Sequence, residues 1–427
     1  MRVLFSVSPW PTHYASMVPL SWALQASGHE VRVLCAPSQT GPVTRAGLQP
    51  VPVLDGMDVA VHNRMSYVRE ALRGDWPYPW PPLHPVTGAV MDSLDDFDLA
   101  QYRRTAEPEY ARRAAQGHDR AVRFARRWRP ELVVHDPVST EGQLVAHVLG
   151  VPAVLALWGP VGTHEAHGPE LIPEDLSRSF ERYGCGPFGA DSIEYVIDPC
   201  PEALEPPVQA CRLPVRFIPY NGGGLAPDWL DQPARGVRVA VTWSTALTSM
   251  SGPDSFILPR IVTALADLDA EVVLTATRDD VAALGAVPPS VRVLERCPLG
   301  PLLAHSDLVL HHGGAGSAMT ALAAGVPQLA VTFAAEQARI AERVQEAGAG
   351  RHLPGHLASR EAIRSAAEAL LSRPDYRRTA WQLSEDNLRR PSPVRLVDRL
   401  VRLARGGPGP AAAQRCLATN SRMEAVM

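Results

Sequence analysis

The first fifty residues change their apolar period twice. Val3 to Val7 is a continuous apolar run of the kind a strand buried on both faces carries. A turn-rich stretch, Ser8 to Tyr14, follows. The pattern then becomes helical from Ala15 or Ser16 through Leu20, Ala23 and Leu24, and stops at Gly28. Val31 to Leu34 is again a strand, which completes one βαβ unit. Its first loop lies at the carboxyl end of a strand, where open α/β sheets bind ligands. From Asp55 to about Arg120 the periodicity is lost among Met57, Met65, Trp76, Tyr78, Trp80 and Met91, with prolines densest between Trp76 and Pro82. Regular structure returns by Arg129. A strand is expected over Leu132–His135, a helix over Gln143–Leu149 and a strand over Ala153–Leu157. Proline and glycine thicken between Gly159 and Pro219, and Asn221 to Gly224 reads as a hinge.

The second half repeats the α/β rhythm. It predicts strands at Val237–Val241, Glu271–Thr275, Val291–Leu294, Leu308–His311 and Gln328–Thr332. Helices are expected near Phe256–Leu268, Ala315–Ala324 and Ala338–Ala347. Two such halves joined by a glycine hinge predict an α/β chain of two facing, Rossmann-like, doubly wound domains with a cleft between them. The boundaries expected are 1–219, a linker at 220–236, 237–390, a helix at 391–405 returning to the first domain, and a disordered Gly/Pro/Ala-rich tail at 406–427.

Composition removes several chemistries. All 41 basic residues are arginine, so no lysine is present for a Schiff base or a Walker-type phosphate loop. A formal charge of −4 does not fit a general nucleic-acid binder. The six cysteines form no C-x-x-C pair, and a reduced protein is the simplest reading, with a disulfide among Cys185, Cys200 and Cys211 left open. No signal peptide and no apolar run of about 18 residues is visible, so a cytoplasmic chain without integral membrane contact is expected.

The strongest local signal is His311-His312-Gly313-Gly314-Ala315-Gly316-Ser317, between a buried strand and a helix. Glycines let a ligand approach the backbone, and the first amides of a helix are natural partners for phosphate oxygens. On the glycines alone, a capped turn and an anion site weigh about evenly; the preceding histidines tip the balance. The second signal is His13, before the first helix. A carboxylate on its other ring nitrogen would set the tautomer, and Asp136 at the same sheet edge is the candidate.

These residues carry a resemblance. Pro11-Thr-His13 with Val18-Pro-Leu and Gly28-His-Glu-Val31 is similar to the opening of inverting GT-B glycosyltransferases. Val291 to Leu299 and His311 to Ser317, continuing to Gly325-Val-Pro-Gln328 and Glu336-Gln337, resemble that family's donor signature. The closest flavour is the bacterial branch that glycosylates antibiotic and polyketide aglycones. A GC-rich gene, suggested by the missing lysine and the scarcity of Ile and Asn, agrees with it.

The resemblance implies roles. His13 is the general base and Asp136 the carboxylate behind it. His312, Gly314, Ala315, Gly316 and Ser317 bind the pyrophosphate, and Glu336 and Gln337 the sugar. Cys297 meets the base edge, and Asn221 and Thr245 also face the nucleotide sugar. Glu336 stands where Asp is usual, Arg296 where an aromatic ring is frequent, and Thr320 where uridine-using relatives carry a ribose-binding Glu. The last departure points to a dTDP-deoxysugar donor. No metal and no cofactor is implied, only the nucleotide sugar as co-substrate and an apolar aglycone as acceptor.

Trp76, Tyr78, Trp80 and Trp158 are expected to line the acceptor pocket; for the first three, a stiff polyproline-like connection is weighed against a mobile lid, and the long aromatic–proline insert favours the lid slightly. His164-Glu165-Ala-His167 lacks zinc-site spacing and sits in a proline-flanked loop, so a metal is not expected there. The alternatives are C-glycosylation on the same scaffold, a nucleotide-sugar epimerase or hydrolase, and a catalytically silent auxiliary partner. A homodimer is compatible with the sequence.

Overall fold

The computed structural model describes residues 1–10, 12–55, 58–167, 169–231, 236–243, 246–295 and 297–406. Met57, Thr245, Arg296 and the tail after 406 lie outside the described residues. Two sheets carry the chain. The first contains β1 (Arg2–Ser6), β2 (Glu30–Leu34), β3 (Pro50–Val51), β4 (Leu132–His135), β5 (Ala153–Ala156), β6 (Tyr195–Asp198) and β7 (Cys211–Pro214), in the order β3-β2-β1-β4-β5-β6-β7. The second contains β8 (Val237–Thr242), β9 (Ala270–Ala276), β10 (Val291–Glu295), β11 (Leu308–His311), β12 (Gln328–Thr332) and β13 (Gly350–Pro354), in the order β10-β9-β8-β11-β12-β13.

The described pairings are parallel, for example β1 with β2 and β4, and β8 with β9 and β11. Parallel strands lie under helices on both faces, which is why they read as unbroken apolar runs in the sequence. Each sheet reverses its winding once, between β1 and β4 and between β8 and β11. At such a switch the crossovers diverge and leave a crevice at the carboxyl edge. Register decides what fills it. Ser6 lies beside His135 and Thr242 beside His311, so the loops holding Ser8, Asp136 and His312 all emerge at these crevices.

Three expectations change. The proline-rich region from Asp55 to Arg120 is largely helical, with helices Val59–Arg73, Leu99–Thr105 and Glu107–Trp128. The first of these is capped by Asp58, whose carboxylate accepts from the amides of Ala60 (3.0 Å) and Val61 (3.2 Å). The stretch 159–219 supplies β6 and β7 rather than loop alone, and 278–284 forms a helix before β10. The last described helix, Pro393–Gly406, packs Leu396, Val397 and Leu400 into the core of the first sheet with Val18 and Leu24. Among the described residues, no helix is long and apolar enough to cross a membrane.

The helix Thr140–Leu149 crosses beneath the first crevice at Gly142. A Cβ there would stand 2.6 Å from the His135 Cβ and 2.8 Å from the Ser6 Cβ. Alanine gains up to about 1 kcal/mol of helix propensity over glycine, against about 1–3 kcal/mol for overpacking. Gly142→Ala should therefore lower stability by about 1–2 kcal/mol in urea titrations; an unchanged or raised midpoint would show that the contact relaxes freely.

Candidate active site

His13 sits in the loop after β1, with Asp136 at the end of β4. They are not directly joined. Ser8 stands between them: its amide donates to Asp136 Oδ2 at 2.6 Å, and its hydroxyl is 2.8 Å from His13 Nδ1. Asp136 Oδ1 accepts from the amides of Val138 (2.9 Å) and Ser139 (2.8 Å). Burial raises the Asp136 pKa to about 6, even though hydrogen bonds from the Ser8 amide and hydroxyl and from the Ser139 and Val138 amides favour its charged form. Burial, with a smaller contribution from His62, lowers His13 to about 3. The imidazole is thus neutral across the ordinary pH range and can take up a proton. Its ring lies against Trp158, with centroids 4.0 Å apart and planes 16° from parallel.

The second crevice holds the glycine turn after β11, where the two histidines part company. His311 is a core residue: Nε2 meets Gln328 Oε1 at 3.0 Å, and Nδ1 accepts from the Gly313 amide at 3.0 Å. His312 has a buried Nδ1 with no partner among the described residues, and burial lowers its pKa to about 4. The glycines make room for this arrangement. Gly313 has φ +84°, and a Cβ on Gly314 would fall 2.6 Å from the His312 ring. The helix Ala315–Ala324 that follows has Gly314 as its N-cap and no side-chain cap. Its first amides are left for a ligand, and the helix dipole favours an anion there.

Other predicted residues are spent on holding the domains. Asn221 donates to Thr320 Oγ1 (3.1 Å) and accepts from the Gly300 amide (3.1 Å). Thr320 is buried and also donates to the Gly316 carbonyl at 2.6 Å, so it presents no group to a ligand. The Cys297 carbonyl accepts from Thr275 Oγ1 at 3.3 Å. Gln337 uses Oε1 to accept from the Phe333 amide at 3.1 Å, whereas Glu336 reaches across the cleft and accepts from Trp158 Nε1 at 2.8 Å. Glu165, from the loop weighed above as a metal site, is buried against Arg343, with N–O distances of 2.7 Å to both guanidinium nitrogens.

The aromatic insert packs against the second domain. Tyr78 donates to Thr332 Oγ1 at 3.1 Å, and Trp80 packs on the core of the second domain. Trp76 donates Nε1 to the Trp80 carbonyl at 2.7 Å. An open cavity lies in the first domain. His62, Met65, Arg69, Tyr102, Tyr110 and Glu141 are among its lining residues, and Trp76, Tyr78, Trp80 and Trp158 are not. The wall mixes apolar and ionisable groups because the helices Val59–Arg73 and Glu107–Trp128, missed in the sequence pattern, form much of it. Asp58 and Gly74 at the ends of the first helix were the available signal. Ser8 had none.

The chain matches the family described as "Erythromycin biosynthesis protein CIII-like" in both parts, the N-terminal domain over residues 114–244 and the C-terminal domain over 259–403. It is 33% identical over 423 residues to the 10-deoxymethynolide desosaminyltransferase of Streptomyces venezuelae, covering 95% of this chain and 97% of that one. The crystal structure of the glycosyltransferase SnogD from Streptomyces nogalater is similar with a TM-score of 0.69 and 30% identity, over 95% of this chain and 99% of that one. Spinosyn rhamnosyltransferase SpnG complexed with thymidine diphosphate gives a TM-score of 0.71 and 27% identity, over 94% of this chain and 100% of that one.

The buried rings set an acid limit on stability. Burial lowers His13 to about 3, and His62, His135, His311, His312 and His352 to about 4. Unfolded histidines titrate near 6.5, so below that pH the unfolded chain binds protons that the folded chain does not. Asp136 and Glu70, raised by burial to about 6 and about 7, act in the opposite sense: their contribution is present at low pH and lost as pH rises. Six groups outweigh two. The unfolding free energy should fall by at least about 1 kcal/mol between pH 7.5 and pH 5 in urea titrations. An unchanged value would mean that the rings protonate in place.

Proposed function

The chain belongs to the erythromycin biosynthesis protein CIII-like family and is a natural-product glycosyltransferase of GT-B architecture; on that premise we propose that it transfers a deoxysugar from thymidine diphosphate to a hydroxyl of an antibiotic aglycone, with inversion and with His13 as the general base. One observation carries the reading. A neutral histidine backed by Ser8 and Asp136 stands at one switch point, and an uncapped helix start beside His312 stands at the other.

The chemistry follows from that pairing. For Nε2 of His13 to accept the acceptor proton, Nδ1 must carry its own hydrogen and donate it to Ser8 Oγ. The imidazolium formed is then stabilised through Ser8 by the Asp136 carboxylate. The acceptor oxygen attacks the anomeric carbon from the face opposite the leaving group. The C–O bond to the diphosphate breaks, and its electron pair leaves with thymidine diphosphate. The growing negative charge meets the amides of Ala315, Gly316 and Ser317 and the His312 ring, donors already oriented before reaction. The buried Thr320 offers no carboxylate to a ribose 2′-hydroxyl, in agreement with a deoxyribose donor. The SpnG complex with thymidine diphosphate supports the same nucleotide. The cavity lined by His62 and Tyr110 is assigned to the acceptor because its His62 is close enough to influence His13.

His13→Ala should reduce kcat by about 10²–10⁴ with a working donor and acceptor, and a loss under tenfold would remove the base assignment. In calorimetry, Ser317→Ala should weaken thymidine diphosphate binding severalfold while acceptor affinity stays nearly constant. The pH profile tests the relay separately. Protonation of Asp136 removes the charge behind the imidazolium, so kcat/KM should fall as pH drops through about 6. In Asp136→Asn that acid limb should vanish at an already reduced rate; a limb unchanged in the variant would assign it to another group.

A further inference from the structure

Trp158 is expected from the sequence to line the acceptor pocket, and the structure gives it other neighbours. It lies just past β5, is 5% exposed, and belongs to an apolar cluster that takes Val138 and Leu157 from the first domain and Ala318 and Ile340 from the second. The chain that follows it is held as closely. A Cβ on Gly159 would stand 3.0 Å from the Ala315 Cβ, at the first residue of the helix with the uncapped start. The Pro160 carbonyl accepts from Arg343 at 2.8 Å. Trp158 is thus a residue of the first domain whose position is set by the second.

Its ring meets His13 face to face. The indole and imidazole planes are 16° from parallel with centroids 4.0 Å apart, whereas Trp10, also near His13, is tilted by 46° at 6.3 Å. Ser8 Oγ holds Nδ1 of His13 at 2.8 Å. That hydrogen bond fixes one atom of the imidazole and leaves its plane free to rock about that atom. A flat neighbour in van der Waals contact removes this freedom, provided the neighbour is itself fixed. The indole is fixed by its only polar hydrogen, which Nε1 donates to Glu336 Oε1 at 2.8 Å. Ser8 therefore sets where the ring is anchored, and Trp158, through Glu336, sets which way Nε2 points.

The stack changes character during the reaction. The resting imidazole is neutral, because burial lowers its pKa to about 3. Once it has taken the acceptor proton, a cation lies flat on an indole, the aromatic face best suited to one. The carboxylate at Nε1 polarises the indole and adds electron density to that face. A contact that favours the imidazolium over the imidazole lowers the barrier to proton transfer, which equal stabilisation of both would not do.

We propose that Trp158 is a positioning residue for the base: stacked on His13 and tethered to Glu336, it holds Nε2 on the acceptor hydroxyl and makes proton removal depend on the docked second domain. The inference rests on the reading of His13 as the base. With the domains apart, Glu336 no longer holds the indole, and an acceptor bound to the first domain alone meets a base whose ring is free to tilt.

The test is a double-mutant cycle on the full chain, with turnover measured on a working donor and acceptor and thymidine diphosphate affinity measured by calorimetry. Misplacing a reacting group by about 1 Å costs about a hundredfold, so Trp158→Leu, which removes the stack, should lower kcat by about 30–100-fold. Trp158→Phe keeps a buried flat ring and loses only the tether, so it should recover part of that loss and stay about 3–10-fold below the wild-type chain. In both variants the acceptor KM and the thymidine diphosphate affinity should stay within about twofold. In a His13→Ala background no base is left to position, and either substitution should change the residual kcat by less than about twofold. Equal fold losses with and without His13 would overturn the proposal and make Trp158 an independent contributor. A loss carried by KM or by thymidine diphosphate affinity, with kcat intact, would overturn it as well and return Trp158 to the lining of a binding site. The Phe variant decides the cycle even where the Leu variant does not fold. A His13→Ala loss under about tenfold would instead sink the base reading on which the proposal stands.

Discussion

The indole of Trp158 is the contact on which the site depends. One face lies on the His13 imidazole at 4.0 Å, and its only polar hydrogen goes to Glu336 in the other domain at 2.8 Å. A tryptophan has one donor and a large rigid face, so both uses fix the same ring. The His13 imidazole of one domain and the Glu336 carboxylate of the other thereby share a single reference. The bidentate Arg343–Glu165 pair and the Tyr78–Thr332 hydrogen bond hold the same interface on either side.

What the two domains bring to this interface follows from sheet winding. Each sheet reverses direction beside its first strand, and each reversal opens a crevice at the carboxyl edge. One crevice holds the hydrogen-bonded His13, Ser8 and Asp136, and the other the uncapped start of the helix Ala315–Ala324. The division suits a reaction in which a proton leaves one partner while negative charge grows on the other. It also explains how the chain manages without lysine. Backbone amides carry no charge that needs neutralising in the empty site, and they are aligned before any ligand arrives.

The aromatic insert shows contacts that a composition argument does not reach. Alternating tryptophan, tyrosine and proline reads either as a stiff connection or, slightly better, as a mobile lid over an apolar acceptor. In the folded chain Tyr78 and Trp80 clamp the second domain, and the cavity of the first domain lies elsewhere, behind helices that the proline-rich surroundings concealed. The capping residues Asp58 and Gly74 were present in the sequence, but the weak apolar periodicity between them left the helix unrecognised. Its cavity-lining His62, Met65 and Arg69 were therefore missed together with it.

The sequence by itself determined the parallel strands, the two-domain plan, and the glycine turn with its helix start. These depend on residues within a few positions of one another: β11, Gly313 and the Ala315–Ala324 helix are contiguous. His13 and Asp136 were legible too, as polar residues just past apolar strands. Only the tertiary structure decided what lies between them and what surrounds them. Ser8 meets Asp136 across 128 positions of sequence, and Trp158 meets Glu336 across 178. Nothing local marks a serine as a relay or a tryptophan as a bridge. Their roles come from strand register and domain packing, which bring distant side chains within hydrogen-bond reach only after both sheets have formed.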